Sequence, residues 1–385
     1  MDVSLFGSTG PPETVPPVPR VSPADRKEQL LIKRRATKAV AALLGAAALV
    51  VTACGGGSEP TSASGECQTP ETPTITLAAY STPREVYGKI IPAFQEKWKA
   101  EHNDQTVIFQ ESYGGSTSQA QNVINGFEAD VVALSLAPDV DVIKDAGLIT
   151  HEWTEAPDAG MVSTSLVVFD VRPGNPDAIE DFDDLAAEGV EVLTPDPVSS
   201  GGARWNLVAA YGAAMRGSAG NTEGDEAGAA SLVEGLLGNV IAFDKTARDS
   251  IKNFEAGNAD VAITYENEIL TAQDAGLEDE MVVPPSTVLI ENPVAIVDEN
   301  VDKHCVREVA EAFVDFLHTP EAKELYTTVG YLRSTDLAEA QKGDGKQFPE
   351  VEDLWTVEEF GGWSELNAMF DDGGLFAEAL VKAQQ

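Results

Sequence analysis

A chain of 385 residues, 43% of them apolar and 23% charged, can bury more than one core and is long enough for two lobes. Its 64 acidic residues against 25 basic ones leave a formal charge of -39. Nucleic acid and anionic membrane surfaces repel such a body, so neither is an expected partner for it.

Positions 1–29, with PPETVPPVPR, show no apolar periodicity; they read as a disordered cytoplasmic leader or as the product of an early start codon. Lys33, Arg34, Arg35 and Lys38 then precede AVAALLGAAALVVTAC, an apolar stretch of signal-peptide length that is too short for a stop-transfer helix. Val51, Thr52, Ala53 and Cys54 resemble the lipobox of bacterial lipoproteins, which implies cleavage before Cys54 and lipid on its sulfur. Residues 1–53 are therefore expected to be leader and signal. The Gly/Ser-rich stretch 54–73 reads as a flexible tether. With Cys54 lipidated, Cys67 and Cys305 remain, and an exported chain permits a bridge between them or two free thiols.

From residue 74 short apolar strands alternate with helical stretches, the signature of α/β lobes with mostly parallel sheets. TITLAAY (74–80) is strand-like, and Val86, Ile90, Ile91, Phe94 and Trp98 recur after it at helical spacing. Pro92 within that pattern predicts a kink or an early stop. VIFQES (107–112) and ADVVALSL (129–136) are the next strands, separated by a helix closed at Gly126. SLVVFDVRPGNP (165–176) is a strand ending in a turn, FDDLAAEGVEVLTPDP a short helix and strand, and ARWNLVAAYGAAM a helix. NVIAFD (239–244), a helix over 246–257, a strand entering a helix over 259–270, and VLIENPVAIVD (288–298) follow. A helical run broken near Pro320 comes next. Residues 74–166 and 277–385 are expected to form one lobe and 167–276 the other, with crossings near Leu166 and Glu268; the packing place of the C-terminal tail is left open.

Four loops share one chemistry. AYSTPRE (79–85), YGGSTSQA (113–120), SSGGARWN (199–206) and DKTARDS (244–250) each follow a strand, open a helix and present small or hydroxyl residues there. The first N–H groups of a helix have no partner within it and lie at the positive end of the macrodipole, so such starts seat anions. In open α/β sheets ligands collect outside the carboxyl ends of strands, where these loops lie.

AYSTPRE, SYGGSTSQAQNVINGFEADVVALSLAPDV, TPDPVSSGGARWNLVAAYG, TYENE and EEFGGW resemble the successive blocks of the periplasmic sulfate-binding proteins that feed ABC importers, over the chain from about Thr74 to the tail. The resemblance implies a two-lobed periplasmic binding protein fold (type II) that closes over a dehydrated oxyanion held by neutral donors. It places those donors at Ser116, Ser200, Gly201, Gly202, Ala247 and Tyr265, with Ser81 in the first loop and Arg248 behind the seat, tying up backbone carbonyls. It also implies delivery of the ligand to an ABC permease; a monomer with neither cofactor nor metal is expected. Two positions depart from the family pattern: Ser81 stands where an Asp is common, and Tyr265 where a Trp is. Thiosulfate, molybdate and other tetrahedral oxyanions are the alternative ligands.

A serine-dependent hydrolase is the rival from another class. A nucleophilic Ser116 or Ser200 needs a nearby base, and His102, His151, His304 and His318 all lie outside the four loops. Glu266 and Glu268 beside Tyr265 read as hinge or surface groups. Cys67, Cys305 and His304 lack metal-ligand spacing.

Overall fold

The computed structural model describes residues 67–345 and 347–384; the leader, Cys54 and most of the tether lie outside them. The described strands are β1 (Thr74–Tyr80), β2 (Ile108–Gly114), β3 (Val131–Ala133), β4 (Met161–Val171), β5 (Val192–Pro195), β6 (Val240–Asp244), β7 (Val261–Tyr265), β8 (Glu280–Val282), β9 (Ser286–Ile296) and β10 (Asp353–Trp355). The α-helices are α1 (Arg84–Glu101), α2 (Ser116–Ile124), α3 (Ala137–Asp145), α4 (Gly201–Met215), α5 (Glu226–Gly238), α6 (Ala247–Glu255) and α7 (Glu266–Asp274), then α8 (Asp298–His304), α9 (Arg307–Leu317), α10 (Pro320–Thr328), α11 (Leu337–Lys342), α12 (Gly362–Ala368) and α13 (Leu375–Ala383).

The strands follow the order β2-β1-β3-β9-β4-β7-β5-β6, with β10 beside β9 and β8 beside β4. Within each half the pairs β1–β2, β1–β3, β5–β6 and β5–β7 are parallel, as strand–helix–strand units require. The halves meet through two long antiparallel strands. The first part of β4 pairs with β9 and its second part, from Val167, with β7; β9 pairs with β4 at Leu289–Asn292 and with β3 at Val294–Ile296. Glu268, expected near the second crossing, lies instead in α7, and β9 is the strand that makes that crossing. An eleven-residue run, STVLIENPVAI, is long enough to serve both halves.

Each half has its own core. Ile90, Phe94 and Trp98 of α1 pack against Phe313 and Phe316 of α9 over β1. Trp205 and Val208 of α4 pack with Phe169, Leu236 and Trp355. The tail joins this second cluster, with Leu366, Phe376 and Ala379 buried in it. Trp355 lies so close to α4 that a Cβ on Gly212 would stand 2.1 Å from its ring, so only glycine fits there. α1 runs unbroken through Pro92. Pro92 and Gly88, whose carbonyl loses its N–H partner, both face solvent, where water replaces the missing bond. Cys67 and Cys305 form a disulfide that ties the end of the tether to the α8–α9 turn.

One buried group opposes the fold. Asp170 on β4 is fully buried, and neither carboxylate oxygen has a hydrogen-bond partner. Burial, reinforced by Asp279, pushes its pKa up to about 8. Because the folded value lies above the unfolded value of about 3.9, the ionised form is the one that folding disfavours. The penalty is absent below the unfolded pKa and grows as pH rises until it passes the folded one. Asp170→Asn is therefore expected to raise the melting temperature at about pH 9, with the gain shrinking toward about pH 5; a gain of equal size at both would reject the assignment.

Candidate functional site

Three helices begin at one point. Gly115 precedes α2, Ser200 occupies the N-cap position of α4, and Thr246 that of α6. Thr246 caps its helix, accepting the Asp249 N–H on its hydroxyl at 3.0 Å. Ser200 has extended N-cap dihedrals but accepts no capping hydrogen bond, so the hydroxyl of SSGG is not spent on its own helix. The N–H groups of Ser116, Gly202 and Ala247 stand in first turns, where no helical carbonyl reaches them.

These starts close a small cavity of about 10 Å³ lined by Tyr80, Ser81, Thr82, Gly114, Gly115, Ser116, Ser135, Ser200, Gly202, Ala247 and Tyr265. No lining residue carries a charge at neutral pH. The volume has room for roughly one water-sized sphere, so the space admits only a small ligand in contact with its walls. Of the seven positions the family pattern singles out, six line it: Ser81, Ser116, Ser200, Gly202, Ala247 and Tyr265. Gly201 does not. Its backbone lies against the β3–α3 loop, where a Cβ would stand 2.5 Å from Ser135 Oγ, so this glycine serves close packing.

The first loop enters differently from the other three. α1 begins at Arg84 behind Pro83, which has no N–H to give, so Ser81 and Thr82 reach the cavity as loop residues, beside Tyr80 at the end of β1, and not as a helix start. Thr82 Oγ1 is buried without a hydrogen-bond partner among the described residues. Tyr80 Oη, beside Ser163, also makes no hydrogen bond of good geometry.

Ser135, which sequence reasoning missed, joins much of the wall. Its N–H donates to Ser116 Oγ at 2.9 Å, its Oγ lies 3.0 Å from Tyr265 Oη, and its carbonyl accepts the Trp205 indole N–H at 2.7 Å. The Ser116 hydroxyl donates to Asp139 Oδ2 at 2.6 Å, which leaves Ser116 its N–H for a ligand. Tyr265 is 1% exposed, and burial drives its pKa far above the usual phenol range, so it stays a neutral hydroxyl. The only sequence signal for Ser135 was its place at the carboxyl end of a buried strand.

Arg248 stands behind the seat with its charge already matched. Its guanidinium donates to Glu268 at 2.6 Å, to both oxygens of Glu85 at 2.7 and 2.9 Å, and to the Thr82 carbonyl at 3.3 Å. It thus engages one backbone carbonyl and bridges two carboxylates. Burial would raise the Glu85 pKa, but Arg248 pulls it below the usual carboxylate value. Glu268 and Glu266 are both buried, not surface groups, because each has an arginine: Glu266 is held by a buried Arg333 at 2.6 and 2.7 Å. The histidines stand elsewhere. His102 stacks on Trp98, His151 meets Asp298, His304 bridges Asp130 and Glu128, and His318 is buried near Asp158.

With this geometry the chain matches the model of the bacterial extracellular solute-binding proteins over residues 75–332. It belongs to that family. It is 40% identical to the sulfate-binding protein of Synechococcus elongatus over 349 residues, covering 89% of this chain and 95% of that protein. The sulfate-binding protein of Escherichia coli is 44% identical over 304 residues, 77% of this chain and 90% of the relative. Among solved structures, the sulfate-binding protein SubI from Mycobacterium tuberculosis H37Rv superposes with a TM-score of 0.68 at 35% identity, covering 76% of this chain and 98% of that one. The fold is thus the two-lobed α/β architecture of periplasmic binding proteins, and the chain is a receptor of an exported class rather than an enzyme.

The closed arrangement has a steric condition. Ser118 N–H donates to the Ser199 carbonyl at 3.1 Å across the cavity mouth, and a Cβ on Gly115 would stand 2.3 Å from that oxygen. Gly115→Ala is expected to hold the mouth open and weaken ligand binding by at least about tenfold while the melting temperature of the ligand-free protein stays close to that of the parent. Unchanged affinity in a calorimetric titration would contradict that role for Gly115.

Proposed function

We propose that this protein captures sulfate between two lobes outside the cytoplasm and delivers it to an ABC importer. One observation carries the reading: a closed cavity lined only by neutral groups, rich in N–H and O–H donors, with its adjacent arginine already paired to Glu85 and Glu268. The sulfate-binding relatives support it. One lobe would comprise 74–166 and the chain beyond the β9 crossing as far as about Arg333; the other would comprise 167–276, β8 and the tail that shares its core. The donors would be the N–H groups of Ser116, Gly202 and Ala247 together with the hydroxyls of Ser81, Ser200 and the Ser135–Tyr265 pair. Charge-assisted bonds of this kind are among the stronger hydrogen bonds, and several together replace a hydration shell.

Selectivity follows from counting protons. Sulfate is fully ionised at neutral pH and only accepts hydrogen bonds, whereas phosphate keeps at least one proton that needs an acceptor. No carboxylate lines the cavity, and an unpaired buried polar group costs about 1–3 kcal/mol. Calorimetric titration with sulfate, thiosulfate, molybdate and phosphate is expected to place sulfate above phosphate by at least about tenfold. In the same titrations Gly202→Leu, whose side chain would enter the cavity beside Ser200 and Tyr265, abolishes binding. Comparable affinities for sulfate and phosphate, or sulfate binding retained by Gly202→Leu, would refute the proposed seat.

The receptor would be a monomer held at the outer face of the cytoplasmic membrane by lipid on Cys54. The apolar stretch ending in VTAC and the Gly/Ser segment after it support this reading. Among the described residues no helix is long and apolar enough to cross a membrane. Cys54→Ser is expected to move the protein from the membrane fraction to the soluble fraction; persistence in the membrane fraction would remove the anchor from this account.

A further inference from the structure

A carboxylate stands one side chain away from the cavity. Asp139, the third residue of α3, is 3% exposed and accepts hydroxyl protons from Ser116 at 2.6 Å and from Thr117 at 3.3 Å. Ser116 Oγ accepts the Ser135 N–H in turn, and Ser135 Oγ meets Tyr265 Oη. Three of these residues, Ser116, Ser135 and Tyr265, line the cavity, so a single carboxylate sits at the root of that part of the wall.

That position is electrostatically adverse. Burial raises the Asp139 pKa, and the cation acting on it, Arg204 of α4, makes no hydrogen bond to it. An anion in the cavity adds like charge. The offsetting gain lies in the direction of the hydroxyls: a serine proton is free to turn about its C–O bond, and an acceptor behind it decides where the proton points.

We propose, on the reading of the cavity as an oxyanion seat, that Asp139 is a positioning residue for the ligand. By accepting the Ser116 and Thr117 protons it locks the first turn of α2 to the β3–α3 loop. The Ser116 N–H then faces the ligand in place of its O–H, and Ser135 is held with its hydroxyl on Tyr265. The role needs an acceptor oxygen at position 139 but not its charge. Asparagine can therefore take it over and alanine cannot.

The test uses the purified protein, sulfate as the calorimetric probe, and hydrogen exchange of the Ser135 amide followed by NMR. Asp139→Ala is expected to weaken sulfate binding by more than about tenfold and to speed Ser135 exchange by a similar factor, while Asp139→Asn keeps both within about threefold of the parent. If Asp139→Ala does not fold, Asp139→Leu, which fills the volume without an acceptor, takes its place. Parent-like behaviour of the alanine or leucine variant, or an asparagine variant as impaired as alanine, overturns the proposal. A parent that takes up no sulfate refutes the ligand assignment alone, because the exchange comparison still decides the role of Asp139.

Discussion

Taking a small anion out of water into a closed cavity forfeits its hydration, and something oriented has to replace the lost water dipoles. A cation would do so at the cost of its own desolvation. This chain has few to spare, 25 basic residues against 64 acidic ones, and Arg248, next to the lining residue Ala247, is neutralised by Glu85 and Glu268. What remains are dipoles that folding has already aligned: the starts of α2, α4 and α6 and the hydroxyls beside them. Their entropic and desolvation costs are met when the lobes fold, so they act at close range whatever the net charge, which salt screens beyond roughly 8–10 Å.

That requirement explains why the cavity lies where two separate cores meet. One helix start cannot surround a tetrahedral guest; starts from different parts of the sheet can. α2 belongs to the half built on β1 and β3, whereas α4 and α6 follow β5 and β6 in the other half. β4 and β9 are the long strands that join the halves. Contacts across the cavity, such as Trp205 N–H on the Ser135 carbonyl and Ser118 N–H on the Ser199 carbonyl, use backbone groups on at least one side. Closure is therefore sensitive to any added atom at Gly115, whose missing side chain lets backbone meet the Ser199 backbone, or at Gly201, which packs against the side chains of Ser135 and Leu136.

The sequence made strand–helix alternation, and the four hydroxyl-bearing loops within it, legible because both are local: apolar period and small residues at a strand end are visible without any knowledge of contacts. Long-range partnerships were not. Nothing about ALSL announced that Ser135 would join Ser116, Tyr265 and Trp205, and nothing about the abundant carboxylates distinguished Asp139 from its exposed neighbours. Gly201 and Gly202 look equivalent in SSGGARWN, yet the helix turn carries one against the β3–α3 loop and the other to the cavity. The second crossing was misplaced for a related reason. TYENEIL changes from strand to helix at Glu266, whereas the eleven residues of β9 read as one ordinary strand until their two sets of partners are known.

The two departures from the family pattern acquire a common logic in this geometry. An indole N–H can only donate, so a tryptophan at position 265 would offer one fixed donor. Tyr265 supplies a hydroxyl whose direction has to be set from outside, and Ser135 sets it: in a pair of hydroxyls 3.0 Å apart one proton lies between the oxygens and the other is left over. That remaining proton is a donor to the cavity from either residue, strengthened by the bond behind it. Ser81, replacing an aspartate in the first loop, likewise puts a neutral hydroxyl on a wall where a carboxylate would repel an anion. Both changes move the site from fixed or charged groups toward hydroxyls, and hydroxyls discriminate only as well as their backing network holds them.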